Sequence, residues 1–373
     1  MIIGIDGNEA NQKNRVGVGQ FAYNVVSWLE KIDKENSYVI YLKARPLPDL
    51  PKERKGWKYK IFGPSKLWTQ IALPIKLFTQ KEKLDIFFTP SHYAPRFSPV
   101  PTVISIMDLW HKHHPEQFVK KDIYKLTKWE KYSLKKASQI IAISEFTKSE
   151  IIKFYGCPES KITVVYPGFD ARYRGTKVQR CKVEEVKKKY KVEGDYLLYL
   201  GTLQPKKNVE GLIKAFAYLI QNTKYKIQLV IAGKKGWLYE KIFELVKGLK
   251  LEDKVIFTGF VDEEEKPYLL AGARAFVFPS FYEGFGIPVL EAMSLGVPVV
   301  TSREGSLPEV GGESAIYCDP YSSEDIARAI EKVLSLNQAE KNEIIKKGFE
   351  QIKKFSWEEC ARKILKTLEN DQG

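Results

Sequence analysis

Short apolar runs alternate with amphipathic stretches along nearly the whole chain of 373 residues. The runs are rich in β-branched and aromatic residues, and each is soon followed by Gly, Pro, Ser or Asp. In the first half they are "MIIGID", "YVIYLK", "LDIFFTP", "PTVISIMD", "SQIIAIS" and "KITVVYP"; in the second half they are "YLLYLGT", "KIQLVIAG", "KVIFTGF", "RAFVFPS", "VPVVTS" and "AIYCD". Nearly continuous apolar runs are typical of strands buried on both faces, and such strands occur in parallel sheets.

Helical patterns such as "VEGLIKAFAYLIQN" and "SSEDIARAIEKVLSL" lie between these runs. Alternation of strand and helix indicates βαβ units with right-handed crossovers, and a chain of this length is expected to form about two domains. We therefore predict an α/β fold of two Rossmann-like domains, residues 1–175 and 176–355, with parallel sheets facing across a cleft. The polar, basic segment from Asp170 to about Gly194 is interpreted as the linker. Ligands of such sheets bind beyond the carboxyl ends of the strands.

The net charge of +14 is confined to the first half of the chain. Residues 1–180 contain 31 Lys and Arg against 17 Asp and Glu, whereas residues 181–373 contain 29 of each. A basic half-molecule favours an anionic partner, such as phospholipid headgroups, nucleic acid or a phosphate-bearing substrate. A lysine-rich solvated surface is the alternative interpretation.

Cysteine usage and the start of the chain bear on its compartment. The four cysteines are scattered without a CxxC pair, which indicates reduced thiols rather than a disulfide framework or a zinc site. The first residues, "MIIGIDGNEA", lack the basic flank and cleavage site of a signal peptide. No apolar run approaches the ~20 residues of a membrane span. We therefore expect a cytoplasmic protein.

The segment from Phe281 to Ser302, "FYEGFGIPVLEAMSLGVPVVTS", places two glutamates around a glycine turn that follows an apolar run. Gly284 and Gly286 let the backbone approach a ligand, and a helix that starts beside them exposes N–H groups that attract phosphate. Glu283 lies in the loop, and Glu291 is expected in the first helical turn. Carboxylates repel phosphate but accept hydrogen bonds from hydroxyls. The pattern predicts a site for a nucleotide sugar. For either glutamate alone, a surface loop charge at Glu283 or a helix-dipole carboxylate at Glu291 is the favoured interpretation.

The stretch "YEGFGIPVLEAMSLGVPVV" resembles the Glu-x7-Glu signature of retaining glycosyltransferases with the two-domain GT-B fold, the family 4 type. "RVGVGQFAYNVVSWL" is similar to the family's N-terminal glycine loop and helix, "AISEFTKSEI" and "ITVVYPGFD" to its inter-domain approach, "YLGTLQPKKNVEGLIKAF" to its phosphate-binding lysine segment, and "GSLPEVGGESAIYCDP" to its closing segment. The resemblance covers nearly the whole chain. It implies a GT-B fold whose last helix, residues 356–373, crosses back to the first domain with Trp357 as an anchor.

The resemblance also implies a role for each matching position. Glu283 is expected to contact hydroxyls of the donor sugar, and Glu291 those of the ribose. Lys207 and Lys206 are expected to neutralise the diphosphate as it leaves. Gly259 and Phe260 are expected near the base of the nucleotide. The other implied donor contacts, mostly through the backbone, are Gly17, Gly19, Gly201, Thr202, Gly284, Phe285, Gly286 and Ile287.

Many other glycosyltransferases hold Mg2+ with an Asp-x-Asp pair, and this chain has no two aspartates at that spacing. We therefore predict transfer without a metal or another cofactor, with lysines stabilising the leaving group. The cluster "HKHHPE", with His111, His113 and His114, is not expected to bind a metal, because no Cys lies near it and Pro115 indicates a loop. An acceptor-loop role is favoured for this cluster.

Two positions depart from the family's pattern. In "VISIMDLW", Met107 precedes Asp108 where many relatives have a histidine, and Thr202 stands where many have an arginine after the strand glycine. Lys206 is the candidate replacement for that arginine. Asp108, at the carboxyl end of a strand, is the candidate base for the acceptor hydroxyl, with a helix cap as the alternative.

The segment from Ser65 to Lys83, "SKLWTQIALPIKLFTQKEK", is amphipathic, basic and aromatic. Such a segment suits an anionic membrane surface. Packing of its apolar residues on the first sheet is the favoured alternative, with a kink at Pro74.

The resemblance and these features together predict a cytoplasmic, retaining, metal-independent hexosyltransferase, with peripheral attachment to the inner membrane face as an option. The resemblance alone implies transfer of mannose from GDP-mannose, with a UDP-sugar as the second choice of donor, and we expect a glycan or lipid-linked acceptor in cell-envelope polysaccharide synthesis. A Rossmann-type oxidoreductase is disfavoured because no Gly-x-Gly-x-x-Gly follows the first strand. A nucleic-acid-binding protein leaves the two glutamates unexplained, so no nucleic acid partner is predicted.

Overall fold

The computed structural model describes residues 1–170, 173, 179–236 and 239–371, except for the side chain of residue 121. The chain divides into two compact units: unit 1 contains Met1–Gly168 and Phe355–Gly373, and unit 2 contains Phe169–Lys354. The boundary that the sequence places between residues 175 and 176 lies outside the described residues.

Unit 1 is built around a parallel sheet, which has seven strands in the described part of the chain. The strands are β1 (Ile2–Asp6), β2 (Ser37–Leu42), β3 (Trp57–Ile61), β4 (Ile86–Thr89), β5 (Thr102–Ile106), β6 (Gln139–Ala142) and β7 (Ile162–Val164). Their order across the sheet is β3-β2-β1-β4-β5-β6-β7. The helices are α1 (Val18–Ile32), α2 (Leu73–Thr79), which continues a π-helical turn at Trp68–Ala72, α3 (Trp110–His113), α4 (Lys120–Lys136) and α5 (Glu145–Tyr155).

Unit 2 repeats this architecture with a parallel sheet of six strands within the described ranges. The strands are β8 (Asp195–Leu200), β9 (Ile227–Ala232), β10 (Val255–Gly259), β11 (Ala275–Phe278), β12 (Val299–Ser302) and β13 (Ala315–Cys318), in the order β10-β9-β8-β11-β12-β13. The helices are α6 (Arg180–Lys189), α7 (Val209–Asn222), α8 (Glu240–Gly248), α9 (Lys266–Ala271), α10 (Ile287–Ser294), α11 (Leu307–Gly311), α12 (Ser323–Ser335) and α13 (Gln338–Gln351).

Both sheets have the strand order of a Rossmann fold, in which the connections reverse direction beside the first strand. The reversal lies between β1 and β4 in unit 1 and between β8 and β11 in unit 2. The predicted α/β class, with two Rossmann-like domains built on parallel sheets, is therefore confirmed. All strands pair in parallel, so their carboxyl ends share one edge of each sheet.

The segment interpreted as a linker up to Gly194 contains the helix α6. Val183 and Val186 are buried on this helix, and α6 packs against α9 of the same unit. The interpretation as a linker is therefore wrong for residues 180–189. Seven of these ten residues are charged, and so polar a helix resembles a loop when only its composition is considered.

The last helix, α14 (Trp357–Asn370), belongs to unit 1 and packs along α1. Trp357 is 5% exposed and contacts the edge of the Phe21 ring, with ring centroids 6.1 Å apart. The backbone of Gly168 packs so closely against the start of α14 that a Cβ at this position would lie 2.1 Å from the backbone nitrogen of Trp357. The chain therefore returns to unit 1 through a tightly packed contact that only glycine permits at position 168.

Candidate active site

The carboxyl ends of β8 and β11 lie side by side where the strand order of unit 2 reverses. From β8 the chain enters a loop that ends in a 3₁₀ turn at Pro205–Lys207, and from β11 it enters the glycine turn before α10. In open parallel sheets, the crevice at such a reversal is where ligands bind. The lysine and glutamate segments singled out in the sequence are thus the two loops that form this crevice.

Lys207 and Glu283 meet in the crevice, where the Lys207 ammonium donates to Glu283 Oε1 and forms an ion pair. Both side chains are largely buried, with 14% and 7% of their surfaces exposed. The ammonium nitrogen also lies 4.9 Å from the centroid of the Phe278 ring, within reach of a cation–π attraction. Buried opposite charges hold each other in place, because either charge alone would be costly to desolvate.

The two loops are also joined through their main chains. The Lys206 carbonyl accepts a hydrogen bond of 2.9 Å from the Phe281 N–H, and Lys206 itself is buried. The Glu283 carbonyl accepts from the Ser306 N–H at 3.1 Å, and the Ser306 hydroxyl lies 3.0 Å from the same oxygen. Gly305 has a φ of +63°, and a Cβ there would lie 2.4 Å from the Glu283 oxygen. The position of Glu283 is therefore set by backbone contacts on both sides.

Asn208 is a residue of this site that the sequence reasoning missed. It has a φ of +54° and caps α7, accepting from the Gly211 N–H at 3.2 Å. Its side-chain amide donates to the carbonyls of Pro279 and Pro320 at 3.1 and 2.7 Å. One buried side chain therefore connects the loops after β8, β11 and β13. An Asn before a helical pattern is a recognisable cap signal, but its contacts with distant loops are not visible in the sequence.

The glycine turn leads into α10, whose N-cap is Gly286 with a φ of +106°. No side chain caps this helix, Pro288 has no N–H, and the Val289 N–H donates to the Gly286 carbonyl at 3.0 Å. What this helix start offers an anion is therefore mainly the positive end of the helix dipole. Gly284 and Phe285 are buried and Ile287 is half-buried. The placement of Glu291 in the first turn is wrong, because α10 starts at Ile287 and Glu291 is its fifth residue. It is half-buried in the second turn, where a side chain still leans toward the helix start.

Glycines end three neighbouring strands of unit 2. The Gly201 N–H donates to the Ala232 carbonyl at 2.9 Å, and the Gly233 N–H donates to the Gly259 carbonyl at 2.8 Å. Gly233 has a φ of +150°, and a Cβ there would lie 1.9 Å from the Gly201 oxygen. Of these glycines, Gly201 and Gly259 were predicted as donor contacts, and Gly233 was missed. The backbones are thus brought together along the edge where a ligand would lie.

Two more of the predicted positions lie along the same edge. Thr202 is half-buried in the loop after β8, next to Gly201. Phe260 follows β10 and is 44% exposed. The ends of β10 and β8 are two strand spacings, about 10 Å, apart along the sheet edge.

The predicted residues of unit 1 lie at its own strand ends and helix starts. Gly17 is the N-cap of α1, with a φ of +48°, and a Cβ there would meet no atom within 4 Å. Gly19 is buried in the first turn of the same helix. Asp108 is half-buried beyond β5, and its Oδ1 accepts from the Trp110 N–H at 3.1 Å. This turn precedes α3, whose N-cap is Leu109. Asp108 therefore accepts a hydrogen bond from the first residue of α3 although it lies one position before the N-cap.

Unit 1 also contains a buried polar cluster that the sequence did not indicate. Glu130, on α4, has no exposed surface. Its carboxylate accepts from the Tyr155 hydroxyl, and its oxygens lie 3.3 Å from His111 Nε2 and 3.9 Å from His92 Nδ1. His113 instead pairs with Glu150. No group of three or more potential metal ligands occurs among the described residues.

Asp6, at the end of β1, is 8% exposed. Burial raises its pKa from 3.8 to about 6, although hydrogen bonds from the Asn8 backbone and side chain act in the opposite direction. This carboxyl group lies at the reversal point of the unit 1 sheet. A buried acid with a raised pKa at a strand end is a feature that often accompanies function.

Two family models together span most of the chain. Residues 182–351 match "Glycosyl transferases group 1" and residues 16–173 match "Glycosyltransferase Family 4". The O-antigen chain mannosyltransferase B of Escherichia coli is 34% identical over 288 residues, which cover 75% of this chain and 73% of that protein. The chain therefore belongs to the group 1 glycosyltransferases of GT-B fold, with an N-terminal domain of the family 4 type.

Two further relatives illustrate how far the similarity extends. The serotype-specific mannosyltransferase WbdA of Escherichia coli is 31% identical over 229 residues, which cover 61% of this chain but only 28% of that longer protein. The crystal structure of Anabaena Alr3699/HepE, in complex with UDP and glucose, superposes with a TM-score of 0.76 over 99% of both chains. At 19% sequence identity, this structural similarity supports the fold.

Proposed function

We propose that this glycosyltransferase transfers mannose from GDP-mannose, with retention of anomeric configuration and without a metal ion. We propose a glycan or lipid-linked acceptor that is part of a cell-envelope polysaccharide. The observation that carries the proposal is the buried Lys207–Glu283 ion pair at the reversal point of the unit 2 sheet. The choice of mannose is supported by the mannosyltransferases among the relatives.

The site has the chemical groups that departure of a nucleoside diphosphate requires. The bond from the sugar C1 to the diphosphate oxygen breaks, and the leaving group gains about one negative charge. The Lys207 ammonium and the positive end of the α10 dipole supply positive potential for that charge, and such preorganised groups are the largest catalytic contribution in many enzymes. Glu283 accepts hydrogen bonds from the sugar hydroxyls and, through its ion pair, keeps the ammonium in position.

The acceptor hydroxyl is proposed to attack C1 on the same face of the sugar from which the leaving group departs. The reaction passes through an oxocarbenium-like state. The new bond joins the acceptor oxygen to C1, and the hydroxyl proton passes to a base, for which Asp108 is the candidate. Lys206 is proposed to assist with the diphosphate, and Glu291 to contact the ribose. Gly17, Gly19, Gly259 and Phe260 are proposed donor contacts at their respective strand ends and helix starts.

The test is the slow release of mannose from GDP-mannose in the presence of EDTA, measured beside UDP-glucose, UDP-GlcNAc and UDP-galactose. We expect turnover with GDP-mannose, its loss in Glu283→Gln, and its retention in Glu265→Gln. Glu265 is a matched control, because it is a carboxylate of the same unit that is in neither of the two loops after β8 and β11 and pairs with Lys189 at 2.6 Å. NMR of the first product should show the anomeric configuration of the donor.

Each part of the proposal has its own contrary result. Turnover of only a UDP-sugar would overturn the choice of donor. Turnover that needs added Mg2+ would overturn metal independence, and an inverted anomer would overturn retention. Full activity of Glu283→Gln would show that the Glu283 carboxylate, and with it the Lys207–Glu283 ion pair, is not needed for transfer.

A further inference from the structure

The segment that contains the π-helical turn and α2 is apolar on two faces. Trp68, Ala72, Leu73 and Leu77 face inward and join a core cluster beneath the sheet of unit 1. This outcome agrees with the favoured prediction that the segment packs on the first sheet. The inward face alone accounts for the attachment of the segment to the unit.

The outward face carries large apolar side chains that remain in water. Leu67, Ile71, Ile75 and Phe78 are 46%, 48%, 58% and 60% exposed. They are spaced by four, four and three residues, about one helical turn each, so they form one continuous stripe. Soluble proteins rarely expose so much contiguous apolar surface unless it serves an interaction. We call these four residues the apolar stripe.

The apolar stripe extends onto the neighbouring loop. The Arg96 N–H donates to the Thr69 carbonyl at 3.4 Å, which places the loop after β4 against the π-helical turn. Phe97, the next residue, is 61% exposed. The exposed apolar surface therefore includes a side chain from a second element, and it is broader than a single helix face.

The stripe lies in the most basic part of the chain. Residues 51–100 contain ten Lys and Arg against three Asp and Glu, a net charge of +7, which is half of the excess of the whole chain. Lys66, Lys81, Lys83 and Arg96 are exposed beside the stripe in sequence or through the loop contact. An apolar surface bordered by cations complements an anionic bilayer, in which acyl chains receive the apolar groups and headgroups pair with the cations. A protein partner would need an equally acidic rim around an apolar groove.

No helix among the described residues combines the length and hydropathy needed to cross a bilayer. We propose that unit 1 docks on anionic phospholipid through the apolar stripe and its flanking lysines, with α2 lying in the plane of the headgroups. This inference rests on the proposed function in one respect, since it places the protein where a lipid-linked acceptor would be found. The surface itself is formed by residues of unit 1, whereas the donor crevice is formed by residues of unit 2.

The experiment is flotation of the full chain with vesicles of phosphatidylglycerol and phosphatidylcholine, and with vesicles of phosphatidylcholine alone. We expect binding to the anionic vesicles that weakens as salt rises from about 0.1 to 0.5 M. The double variant Ile75→Ser/Phe78→Ser should lower the partition coefficient at least about tenfold, from the apolar area removed. Tyr218→Ser, at a position that is 43% exposed on α7 of unit 2, is the matched control and should bind as wild type.

A second set of variants tests the charge. Lys66→Gln, Lys81→Gln and Lys83→Gln together should lower binding by about fivefold per lysine. Removing three exposed lysines of unit 2 (Lys224, Lys226 and Lys241) in the same way should have little effect. Equal binding of wild type and stripe variants, or equal binding to both vesicle types at all salt concentrations, would overturn the proposal.

Self-association is the competing occupant of the stripe. A dimer that Phe78→Ser converts to monomer, in a protein that does not float with vesicles, would assign the stripe to a second copy and overturn the proposal. Release of mannose from GDP-mannose in vesicle-free buffer is measured on the same samples. Stripe variants are expected to retain it, so that failure of vesicle binding and failure of the donor chemistry are separate results.

Discussion

Lys207 and Glu283 are 76 residues apart in the sequence, and their side chains pair at the two strand ends where the sheet of unit 2 reverses. The pair has two consequences that mutagenesis can separate. It holds two buried charges in the folded protein, and it keeps an ammonium ready for an anionic leaving group. Substitutions in the pair are therefore expected to change both stability and activity, and a variant that regains stability need not regain activity.

Lys207→Met is expected to destabilise the protein by about 3 kcal/mol, because it leaves the Glu283 carboxylate buried without its partner. The double variant Lys207→Met/Glu283→Leu should recover most of that loss, since neither charge remains. Donor turnover should stay at least about a hundredfold below wild type in both variants. Thermal unfolding and mannose release measure the two effects, and recovery of activity together with stability would contradict a catalytic role.

Asn208→Gly is expected to keep the left-handed backbone conformation but to lose the cap and both hydrogen bonds to the proline carbonyls. We expect a loss of about 2 kcal/mol in the free energy of unfolding, since two buried acceptors lose their donor. Donor affinity should fall as well, because the loops after β8 and β11 are no longer held together. Asn222→Ala, which removes an exposed hydrogen bond to the Tyr218 carbonyl, should be close to wild type in both measurements.

Much of the fold could be predicted from the sequence. All twelve apolar runs are strands, because central strands of a parallel sheet are buried on both faces and leave a clear apolar signal. The strand β3 was missed because "WKYKI" alternates lysines with apolar residues. It lies at the edge of the sheet, where one side of the strand meets water and charged side chains are tolerated.

The candidate site was less accessible to sequence reasoning. The sequence places Lys207 and Glu283 each after a strand, but only the strand order brings these two strand ends together. The buried carboxylate of Glu130, its histidines and the tight approach of Gly233 to Gly201 depend on tertiary packing. These contacts join residues that are far apart in the sequence, and no hydrophobic periodicity indicates that they meet.

Asp6 provides a pH-dependent prediction. Its pKa in the folded state is about 6, above the 3.8 of an ordinary aspartate. Between these values the folded state binds the extra proton, so the contribution of Asp6 to stability falls as the pH rises through the window from about 4 to 6. Above pH 6, the charged and buried carboxylate lowers the free energy of unfolding by about 3 kcal/mol.

Asp6→Asn is therefore expected to raise the unfolding temperature at pH 7.5 and to have little effect near pH 4. The asparagine carbonyl can still accept the hydrogen bonds that Asn8 donates. The measurement is the difference in unfolding temperature between variant and wild type at several pH values. A difference that does not change with pH would show that the carboxyl group is not titrating in this window.

Gly233 and Gly259 offer a matched comparison of two glycines with positive φ on neighbouring strands. A Cβ at Gly233 would lie 1.9 Å from the Gly201 oxygen, whereas a Cβ at Gly259 would meet nothing within 4 Å. Gly259→Ala should therefore cost only the backbone strain of a left-handed alanine, about 1 kcal/mol. Gly233→Ala should cost more than about 3 kcal/mol, because the ends of β8 and β9 must separate.

The displacement caused by Gly233→Ala should also reach the donor. Gly201 starts the loop that ends in Lys207, so a shift of that strand end moves the ammonium away from the position in which Glu283 holds it. We expect mannose release to fall at least about tenfold at a temperature where the variant remains folded, since small misplacements of a catalytic group are costly. Near-ultraviolet circular dichroism checks folding. Equal activity of both alanine variants would mean that the close approach of Gly233 to Gly201 is needed for packing alone.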